Sequence, residues 1–503
     1  MRFFLSQYEK QVNFILLVLS ILYLSFVCVY SINQYDLGFI LSMVGRLKSG
    51  QIIYQDFDYV RPFFGVVFWD YLLYFIPISS KYLVLFSRIL VVFEVIAICH
   101  LLQKILFKNS KLTFTLFFAI CFLHTFPIMI WHTIDGILFG VISIYFLQKK
   151  WHFSSLLLLL FAALTKQSFV IFGLGVFIIL VKDFCKDFKF NKKDFLLFSF
   201  GILFLIIILF QYHILENYKL FLEQVFSSST PSGFYKNSIE PYLFEKNWQS
   251  ILLLLGLITL YFIKVKREIL EFIVFILFPI LVLIPIFNDG VFLGIYSMLL
   301  ILIVLFLKFE PKNKVIFLMI FLAWSAGISW GYNSPIFLVF ILMLKFIETK
   351  KQYFYLLWII VLISFLFSRL KNTYLSDSIF TTKYVFVENM PSISGLLISE
   401  NEKKYVAEAN SIEKKYKNVV FLPGSPILDL INGKFLNRAS WEMDVEYPNL
   451  EKDTQSLKQN ILAIDKKQLP MFKDGFYKSS FTFEIIKNKK IIAETKYFII
   501  YGH

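Results

Sequence analysis

A set of ionisable side chains in the first part of the chain has the residue types that move a proton and hold an anion. They are Asp36, Asp56, Asp58, Arg61, Asp135 and Lys166. A carboxylate can act as a general base toward a hydroxyl group. A cation can bind a phosphate leaving group and stabilise the charge that develops on it. These residue types therefore favour chemistry between a phosphate-bearing donor and a hydroxyl acceptor.

Each carboxylate also has an ordinary structural explanation. Asp36 and Asp135 stand close to the beginning of helical stretches, where Asp is favoured as a cap. Asp56 and Asp58 stand in a loop, where Asp is common in turns. We favour a functional role for Asp36, for Asp135 and for at least one member of the Asp56 and Asp58 pair.

The other ionisable residues divide between binding and structural roles. A binding role is favoured for Arg61, which precedes a proline that keeps the backbone extended, and for Lys166, which is predicted on the outer side against the charge rule. His132 has no second His at ligand spacing, so a structural role is favoured over a metal site. Arg88 and Glu94 share one apolar stretch and are interpreted as satisfying neighbouring polar groups.

An aromatic run, Trp330-Gly331-Tyr332-Asn333, adds a further candidate. The rings of Trp330 and Tyr332 could stack on a sugar beside the polar Asn333. Because interfacial Trp and Tyr are ordinary membrane anchors, both interpretations stay open.

The composition indicates what kind of scaffold positions these residues. The chain has 503 residues, of which 58% are hydrophobic and only 17% charged, and its mean hydropathy is +0.69. A soluble domain carries roughly 25% charged residues. This excludes a soluble globular enzyme, a nucleic-acid binder and a disordered protein, and it indicates a polytopic membrane protein. The four cysteines lie in or beside apolar stretches and form no disulfide framework or zinc motif.

The membrane-spanning helices can be read from the apolar runs. A span needs roughly 20 mostly apolar residues, and about thirteen stretches approach this length. The predicted spans are 12–30, 82–106, 112–130, 136–148, 153–165, 168–181, 194–213, 248–263, 269–287, 290–307, 315–331, 335–347 and 352–368. The stretches 153–165 and 168–181 could instead form one long broken helix, which is tolerated where it lines a protein cavity.

The basic residues orient these spans. With the N-terminus inside, every short inner loop carries Lys or Arg, whereas the outer turns near 131–135, 288–289 and 332–334 carry none. This is the positive-inside pattern. It requires an odd number of spans, so residues 369–503 are predicted outside. The net charge of +15 is thereby assigned to topology and not to an acidic partner.

Two outer loops are long. The first, 31–81, contains an amphipathic stretch at 36–48 that predicts an interfacial helix and an apolar piece at 63–77 that predicts an interfacial or re-entrant helix. The second, 214–247, carries Ser, Pro and Gly and is predicted to be mobile.

The C-terminal region is polar and has no apolar run long enough to span. The predicted elements are a helix at 401–416, strands at 419–422 and 461–464, and a hairpin over 482–501 that turns around 487–489. The sequence thus predicts a polytopic α-helical membrane domain of about thirteen spans over 1–368. A small extracytoplasmic α/β domain is predicted over 369–503.

Several motifs occur in a fixed order. The first comprises Asp36, Gly50, Tyr54, Asp56, Phe57, Arg61 and Pro62; the second is Thr133-Ile134-Asp135-Gly136-Ile137-Leu138; the third is Ala163-Leu164-Thr165-Lys166-Gln167; the fourth is Phe421-Leu422-Pro423-Gly424-Ser425-Pro426. With the architecture, this pattern resembles the GT-C superfamily of polyprenyl-phosphate-sugar glycosyltransferases. Within it, the pattern is most similar to the protein O-mannosyltransferase and lipid A aminoarabinose transferase group. The pair Asp36-Leu37 departs from the Asp-Glu of many relatives, which argues against protein O-mannosylation in particular.

The resemblance implies a role for each matching residue. Asp36 would be the catalytic base or acceptor-positioning group, and either Asp56 or Asp58 would approach the acceptor. Arg61 stands where the family often has Lys and would contact the lipid phosphate. Asp135 and Lys166 would line the same cavity.

The resulting hypothesis is a multi-pass glycosyltransferase of the bacterial inner membrane, GT-C-like in fold. It would transfer a sugar, with inversion, from a polyprenyl-phosphate carrier to a lipid, glycan or protein acceptor on the outer face. The expected partners are the carrier-linked sugar donor, the acceptor and membrane lipid, and nucleic acid is excluded. No cofactor is predicted, although paired carboxylates leave room for a divalent ion. The alternatives are a lipid-linked glycan flippase or transporter, which often shows internal repeats that are not found here, and an O-antigen polymerase or ligase.

Overall fold

The computed structural model describes residues 2–33, 36–107, 111–125, 128–187, 190–227, 313–328, 351–371, 376–422, 426–433, 457–467, 481–487 and 489–502, with short pieces between 255 and 272, at 308–309 and at 455. The chain divides into two compact units. Unit 1 comprises Met1–Cys28, Ile89–Ile207 and Ser229–Tyr374; unit 2 comprises Val29–Arg88, Ile208–Ser228 and Leu375–His503. Unit 2 therefore combines the C-terminal region with the predicted first outer loop. The predicted boundary between 368 and 369 stays a prediction.

The described residues are mostly helical. The helices are α1 (Arg2–Val29), α2 (Phe39–Lys48), α3 (Phe64–Leu72), α4 (Leu83–Leu106), α5 (Leu112–Thr125), α6 (His132–Gln148), α7 (His152–Thr165), α8 (Phe169–Asp187), α9 (Lys192–Gln211), α10 (Tyr218–Ser227), α11 (Lys314–Gly327), α12 (Lys351–Lys371), α13 (Glu400–Lys415), α14 (Pro426–Asn432) and α15 (Phe481–Ile486). Each predicted span that falls within the described residues corresponds to one of them. Most of 248–263, 269–287, 290–307 and 335–347 lies outside the described residues.

Three of the described helices are long and apolar enough to cross a membrane, judged by length and composition: Gln11–Val29 within α1, Leu83–Leu106 and Lys192–Gln211. Only 17% of the apolar window of α9 is buried within the protein, and Phe200, Leu203 and Phe210 are exposed on it. A continuous apolar surface of this kind is unfavourable in water and is the surface that a spanning helix presents to lipid. The helices thus agree with a polytopic membrane protein, while the number of about thirteen spans stays a prediction.

The segment around Lys166 is a helical hairpin and not one broken helix. α7 ends at Thr165 and α8 begins at Phe169. A Cβ atom on Gly173 of α8 would lie 3.5 Å from Leu159 Cδ1 of α7. In a continuous helix these residues would be about 21 Å apart, so the two helices fold back on each other.

The first outer loop contains two short helices in unit 2. α2 is the helix predicted at 36–48, but all of its residues from Phe39 to Arg46 are buried. The expectation of an interfacial helix with its apolar face in lipid is therefore wrong, because α2 packs against α3 and α14 instead. α3 lies within the apolar piece predicted at 63–77; its first turns are buried, whereas Tyr74 and Phe75 just beyond it are exposed.

The beginning of the second long outer loop is also built into unit 2. Residues Tyr218–Ser227 of the predicted mobile loop form α10, and Gln224 and Val225 of this helix are buried. Residues 228–247 lie outside the described residues.

The C-terminal region is a small α/β fold in unit 2. Its strands are β1 (Tyr384–Phe386), β2 (Leu397–Ser399), β3 (Val419–Leu422), β4 (Ile461–Asp465), β5 (Lys490–Glu494) and β6 (Phe498–Gly502). The larger sheet has the order β3-β4-β6-β5, with β3 and β4 parallel and the other pairs antiparallel. Apolar side chains of β3, β4 and α15 form a common core. The predicted helix at 401–416 and the strands at 419–422 and 461–464 are confirmed.

The predicted hairpin over 482–501 is only half correct. Its first part is the helix α15, in which Thr482 and Ile485 are buried on one face and Ile485 joins the core of the sheet. Residues three positions apart lie on the same face of an α-helix, so these two side chains point to the same side. The hairpin itself is formed by β5 and β6, and Phe498 N donates to Thr495 Oγ1 at 3.1 Å across its turn.

Candidate functional site

In unit 1, Asp135 lies in the first turn of α6. The helix begins after Trp131, whose backbone is extended and whose carbonyl accepts from Ile134 N at 2.8 Å. The side chain of the N-cap residue Trp131 makes no capping hydrogen bond, and the functional role of Asp135 stays a prediction. The Asp135 side chain is fully buried, in the region where the helix dipole favours negative charge.

Lys166 sits at the extended break between α7 and α8, with only 2% of its surface exposed. Its Nζ donates to Thr133 Oγ1 at 3.1 Å, in the first turn of α6, and to the carbonyl of Ala326 at 3.4 Å, near the end of α11. A buried ammonium group must be compensated by such acceptors. The break in the helix hairpin thus brings a cation beside the turn that carries Asp135.

A glycine allows these elements to approach closely. A Cβ atom on Gly136 would lie 2.2 Å from Cε2 of Phe169, the first residue of α8. No side chain fits there, so the Asp135-Gly136 pair joins the first turn of α6 directly to the beginning of α8.

Glu94, in the middle of α4, faces this turn as well. It is buried, and its carboxyl group is close enough to that of Asp135 for the two to interact electrostatically. No described group donates to either Glu94 carboxylate oxygen. A structural role for Glu94 stays a prediction. Arg88 does have a structural role, because it donates to the carbonyls of Tyr30 at 3.2 Å and Ser31 at 2.8 Å in unit 2.

The signal for Glu94 was present in the sequence. A carboxylate in the middle of an apolar helix needs a partner, and Arg88 at six residues is off the three- and four-residue spacing that lets side chains meet on a helix. Its partner in space, Asp135, is on a different helix and could not be named from spacing.

His132 is fully buried, and its ring stacks on Trp131 with centroids 4.7 Å apart. Within the described residues, no group of three or more His, Cys, Asp or Glu side chains could hold a metal ion. The geometry of His132 agrees with the structural role that the sequence favoured.

In unit 2, Gln224 of α10 fixes the loop that carries Asp56, Asp58 and Arg61. Its Nε2 donates to the carbonyl of Tyr54 and to Asp58 Oδ1, each at 2.9 Å, and its Oε1 accepts from Tyr59 N at 2.9 Å. Gln224 is separated from this loop by about 170 residues in the chain, so no local pattern revealed it.

Asp56 and Asp58 differ in their surroundings. Asp56 Oδ2 accepts from the backbone N–H of Ile52 at 2.7 Å, and Asp56 is exposed. This is the turn-forming use of Asp. Asp58 is tied to the buried Gln224 instead. The prediction that at least one of them approaches an acceptor stays a prediction.

Arg61 is half-buried at the end of the same loop. Its Nε is buried and has no acceptor within hydrogen-bond distance in the described part of the chain. A guanidinium group with an unused donor is suited to a phosphate oxygen.

Asp36 lies in the turn that leads into α2. Its N–H donates to Asn33 Oδ1 at 3.1 Å, and its carbonyl accepts from Phe39 N at 3.1 Å. The residue at the N-cap of α2 is Gly38. The functional role of Asp36 stays a prediction.

Lys48 and Asp70 in unit 2 have structural roles. Lys48 Nζ donates to the carbonyl of Ile76 at 2.8 Å, and Tyr212 donates to Asp70 Oδ2 at 2.7 Å. Burial raises the pKa of Asp70, while the Tyr212 hydrogen bond and the Lys48 charge oppose that shift. Burial likewise lowers the pKa of Lys48. These contacts join α2, α3 and the segment after α9.

The predicted site residues are divided between the two units. Unit 1 holds Asp135, Lys166 and the added Glu94; unit 2 holds Asp36, Asp56, Asp58 and Arg61. The predicted sugar-stacking residues Trp330, Tyr332 and Asn333 lie outside the described residues.

Comparison with known proteins gives one fold-level likeness. No family model and no curated protein matches the chain. The crystal structure of ArnT from Cupriavidus metallidurans in the apo state is similar with a TM-score of 0.45 and 9% identity, over 99% of this chain and 98% of that chain. A likeness at this level does not extend to the donor, the acceptor or the role of any residue.

Proposed function

We propose that the protein is a membrane glycosyltransferase that moves a sugar from a polyprenyl-phosphate carrier to a hydroxyl acceptor on the outer face of the inner membrane. The acceptor would be a lipid, a glycan or a protein. In this proposal the N-terminus is cytoplasmic and the C-terminal region is extracytoplasmic. The observation that carries the proposal is Lys166, a buried ammonium group beside the first turn of α6, which bears the buried Asp135.

The proposed reaction is an in-line displacement with inversion at the anomeric carbon. The acceptor oxygen forms a bond to this carbon as the bond from the carbon to the phosphate oxygen breaks. The acceptor proton passes to the Asp36 carboxylate, which acts as general base. The carrier departs as a phosphate anion, and the candidate cations that would stabilise it are Arg61 in unit 2 and Lys166 in unit 1. Asp135 orients the sugar, and Asp58 orients the acceptor.

One feature of the described residues supports the assignment of Arg61. Arg61 keeps a buried Nε without an acceptor in the described part of the chain, which is the vacancy that an incoming phosphate would fill.

One observation favours a second function. The buried contact between Glu94 and Asp135 lies halfway along α4, and carboxyl groups in the middle of spanning helices are common in proton-coupled transporters. A flippase for a lipid-linked glycan is therefore the second candidate.

The test uses the purified full-length protein in lipid with a panel of radiolabelled polyprenyl-phosphate monosaccharides. The measured quantity is release of free polyprenyl phosphate. We expect release with one donor, its loss in Asp36→Asn, and normal release in Glu388→Gln, a matched change at an exposed carboxylate of unit 2. No release with any donor, together with movement of labelled lipid across sealed vesicles, would reject the transferase in favour of the flippase.

A further inference from the structure

The helix α14 packs directly on the turn that holds Asp36. Gly38 in this turn has a φ of +115°, and a Cβ atom on it would lie 3.0 Å from Ile427 N, 3.0 Å from Leu430 Cδ1 and 3.1 Å from the carbonyl carbon of Pro426. Two of these three atoms belong to the backbone of α14. The turn and the beginning of α14 therefore fit together only because Gly38 has no side chain.

Two buried polar side chains belong to the helices α2 and α14, which pack against each other. Arg46 of α2 is fully buried, with its guanidinium 5.5 Å from the centre of the Phe57 ring. Asp429 of α14 is buried as well; burial raises the pKa of its carboxyl group, and the charge of Arg46 opposes that shift.

The other side of α14 is held as well. Ser392 Oγ donates to the carbonyl of Leu430 at 3.2 Å. The segment around Ser392 is in turn joined to the beginning of α4, because Val84 N donates to the Ser392 carbonyl at 2.9 Å and Ser394 N donates to the Lys81 carbonyl at 2.8 Å. α14 thus lies between a segment fixed to α4 and the turn that holds Asp36.

The chain that enters this turn is anchored to the same α/β fold. Ser31 N donates to the Leu397 carbonyl of β2 at 2.7 Å, and the rings of Tyr30 and Tyr384 stack with centroids 4.9 Å apart. Asn33 then accepts from the N–H of Asp36. The chain before Asp36 is therefore held by β1 and β2 of the C-terminal region, and the chain after Asp36 is held by α14.

We propose that the C-terminal α/β fold positions Asp36 through α14, with Gly38 and Leu430 forming the contact. This inference rests on the proposed function for the chemistry of Asp36, but the positioning of the turn by α14 does not depend on that chemistry. Gly38 and Leu430 are positioning residues: neither touches the reacting groups, and each acts through the position of the Asp36 carboxylate. A displacement of a catalytic group by about 1 Å can lower the rate about a hundredfold.

The test compares Gly38→Ala with Gly433→Ala in the full-length protein in lipid nanodiscs. Both glycines have a positive φ, +115° and +65°, so both substitutions strain the backbone, but a Cβ on Gly433 meets nothing within 4 Å. The difference between the variants therefore reports the contact with α14. The first readout is hydrogen exchange of the amides of Asp36 and Phe39, and the second is kcat and KM for the labelled carrier-linked sugar.

We expect Gly38→Ala to raise exchange at Asp36 and Phe39 about tenfold or more and to lower kcat with KM for the donor within about twofold. Gly433→Ala should leave both exchange rates and kcat at the wild-type values. Leu430→Ala, which removes atoms instead of adding them, should act in the same direction and serves if Gly38→Ala does not fold. Equal exchange in Gly38→Ala and Gly433→Ala, or raised exchange with an unchanged kcat in an active protein, would overturn the proposal.

The exchange measurement separates this inference from the proposed function. If the wild-type protein releases no polyprenyl phosphate from any donor, the transferase assignment fails and the exchange rates alone decide whether α14 fixes the turn. If release is normal and depends on Asp36, but local exchange is unaffected by Gly38→Ala and by Leu430→Ala, the positioning role fails and the transferase assignment remains.

Discussion

Unit 1 and unit 2 both bury carboxyl groups, but they surround them with different neighbours. In unit 1, Glu94 has no hydrogen-bond donor among the described residues and faces a second carboxyl group, that of Asp135. In unit 2, Asp58 accepts from Gln224, Asp70 from Tyr212, and Glu402 from the N–H of Ser399. These three carboxyl groups of unit 2 are therefore held by hydrogen bonds of the scaffold, whereas the Glu94 carboxyl receives none from the described residues.

The two kinds of carboxyl group differ in whether they receive hydrogen bonds. A buried carboxyl group that receives hydrogen bonds is stabilised by them, whereas one without a donor is costly to retain. Not every carboxylate of unit 1 is of the second kind: Asp194 accepts from the N–H groups of Phe153 and Ser154, at 3.0 and 2.8 Å, and so supports the beginning of α7. The contrast thus singles out Glu94 and not the membrane helices in general.

The largest expected effect is at Lys166, which gives the unit 1 group its cation. Replacing it by Met keeps most of the side-chain volume but removes the charge. We expect Lys166→Met to lower kcat for carrier-sugar cleavage roughly a hundredfold, the usual loss when one stabilising donor is removed. The rate of polyprenyl phosphate release, measured at saturating donor, checks this.

The matched control is Lys193→Met, at an exposed lysine at the beginning of α9. It should retain the wild-type rate. Equal rates in the wild type and in Lys166→Met, at equal amounts of folded protein, would mean that Lys166 is only a structural link between α6 and α11. The contrast between the units would then lose its functional meaning.

A second, smaller effect is expected at Glu94. If Glu94 holds the Asp135 carboxyl in place by a hydrogen bond, Glu94→Gln retains a donor at this position and Glu94→Ala does not. A hydrogen bond to a charged group contributes about 1.5–3 kcal/mol, so Glu94→Ala should lower kcat tenfold or more while Glu94→Gln stays within about threefold.

Thermal unfolding of both Glu94 variants is the accompanying measurement. Removing an uncompensated buried carboxyl group should leave the midpoint unchanged or raise it. A large loss of stability in Glu94→Gln together with an unchanged kcat would assign Glu94 to the scaffold and remove the contrast with unit 2.

The sequence predicted those parts of the fold that depend on local periodicity. The spans that became α4 and α9, and the elements that became α13 and β3, follow from apolar runs and alternation within a few residues. The helix α13 even carries its start signal, since Ser399 and Glu402 form a capping box. The boundaries of long apolar helices and of capped polar helices can therefore be predicted from local sequence.

The contacts that make the candidate site could not be predicted in this way. Gln224 reaches Asp58 across 166 positions and Lys166 reaches Ala326 across 160, and no spacing rule links residues so far apart. The periodicity correctly predicted that α2 is amphipathic. It could not show whether lipid or the helices α3 and α14 cover the apolar face. The alternating pattern at Phe481–Ile486 predicted a strand, but this segment is a helix, and its Ile485 packs on the sheet.

The third prediction concerns Gln224, which fixes a loop in unit 2. Gln224→Ala removes three hydrogen bonds from the loop that carries Asp58 and leaves the N–H of Tyr59 buried without its acceptor. An unsatisfied buried group costs about 1–3 kcal/mol. We expect faster hydrogen exchange at Tyr59 and a rise in donor KM of about tenfold through displacement of Arg61. Glu223→Ala, an exposed position on the same helix, is the control, and equal exchange in the two variants would contradict the role of Gln224.

The smallest expected effect is a pH dependence that comes from Glu402, a carboxyl group of the scaffold. Burial raises the pKa of Glu402 from 4.5 to about 7, against the hydrogen bonds from Ser376 and Ser399, which lower it, while the charge of Asp377 raises it further. The folded state therefore binds this proton more tightly than the unfolded state. The stabilisation is complete below the usual pKa of 4.5 and is lost as the pH rises through about 7.

Between pH 6 and pH 8 the loss for Glu402 should be about 1 kcal/mol, measured as faster exchange of the protected amides in α13 and β2 after correction for the intrinsic rate. Glu402→Gln keeps the cap of α13, since its side-chain oxygen can still accept from Ser399 N, but it has no proton to lose. Its exchange should therefore be independent of pH over this range. A pH dependence that persists in Glu402→Gln would assign the proton to another group of unit 2, and Asp429, with a pKa raised to about 7 by burial, is then tested by Asp429→Asn in the same way.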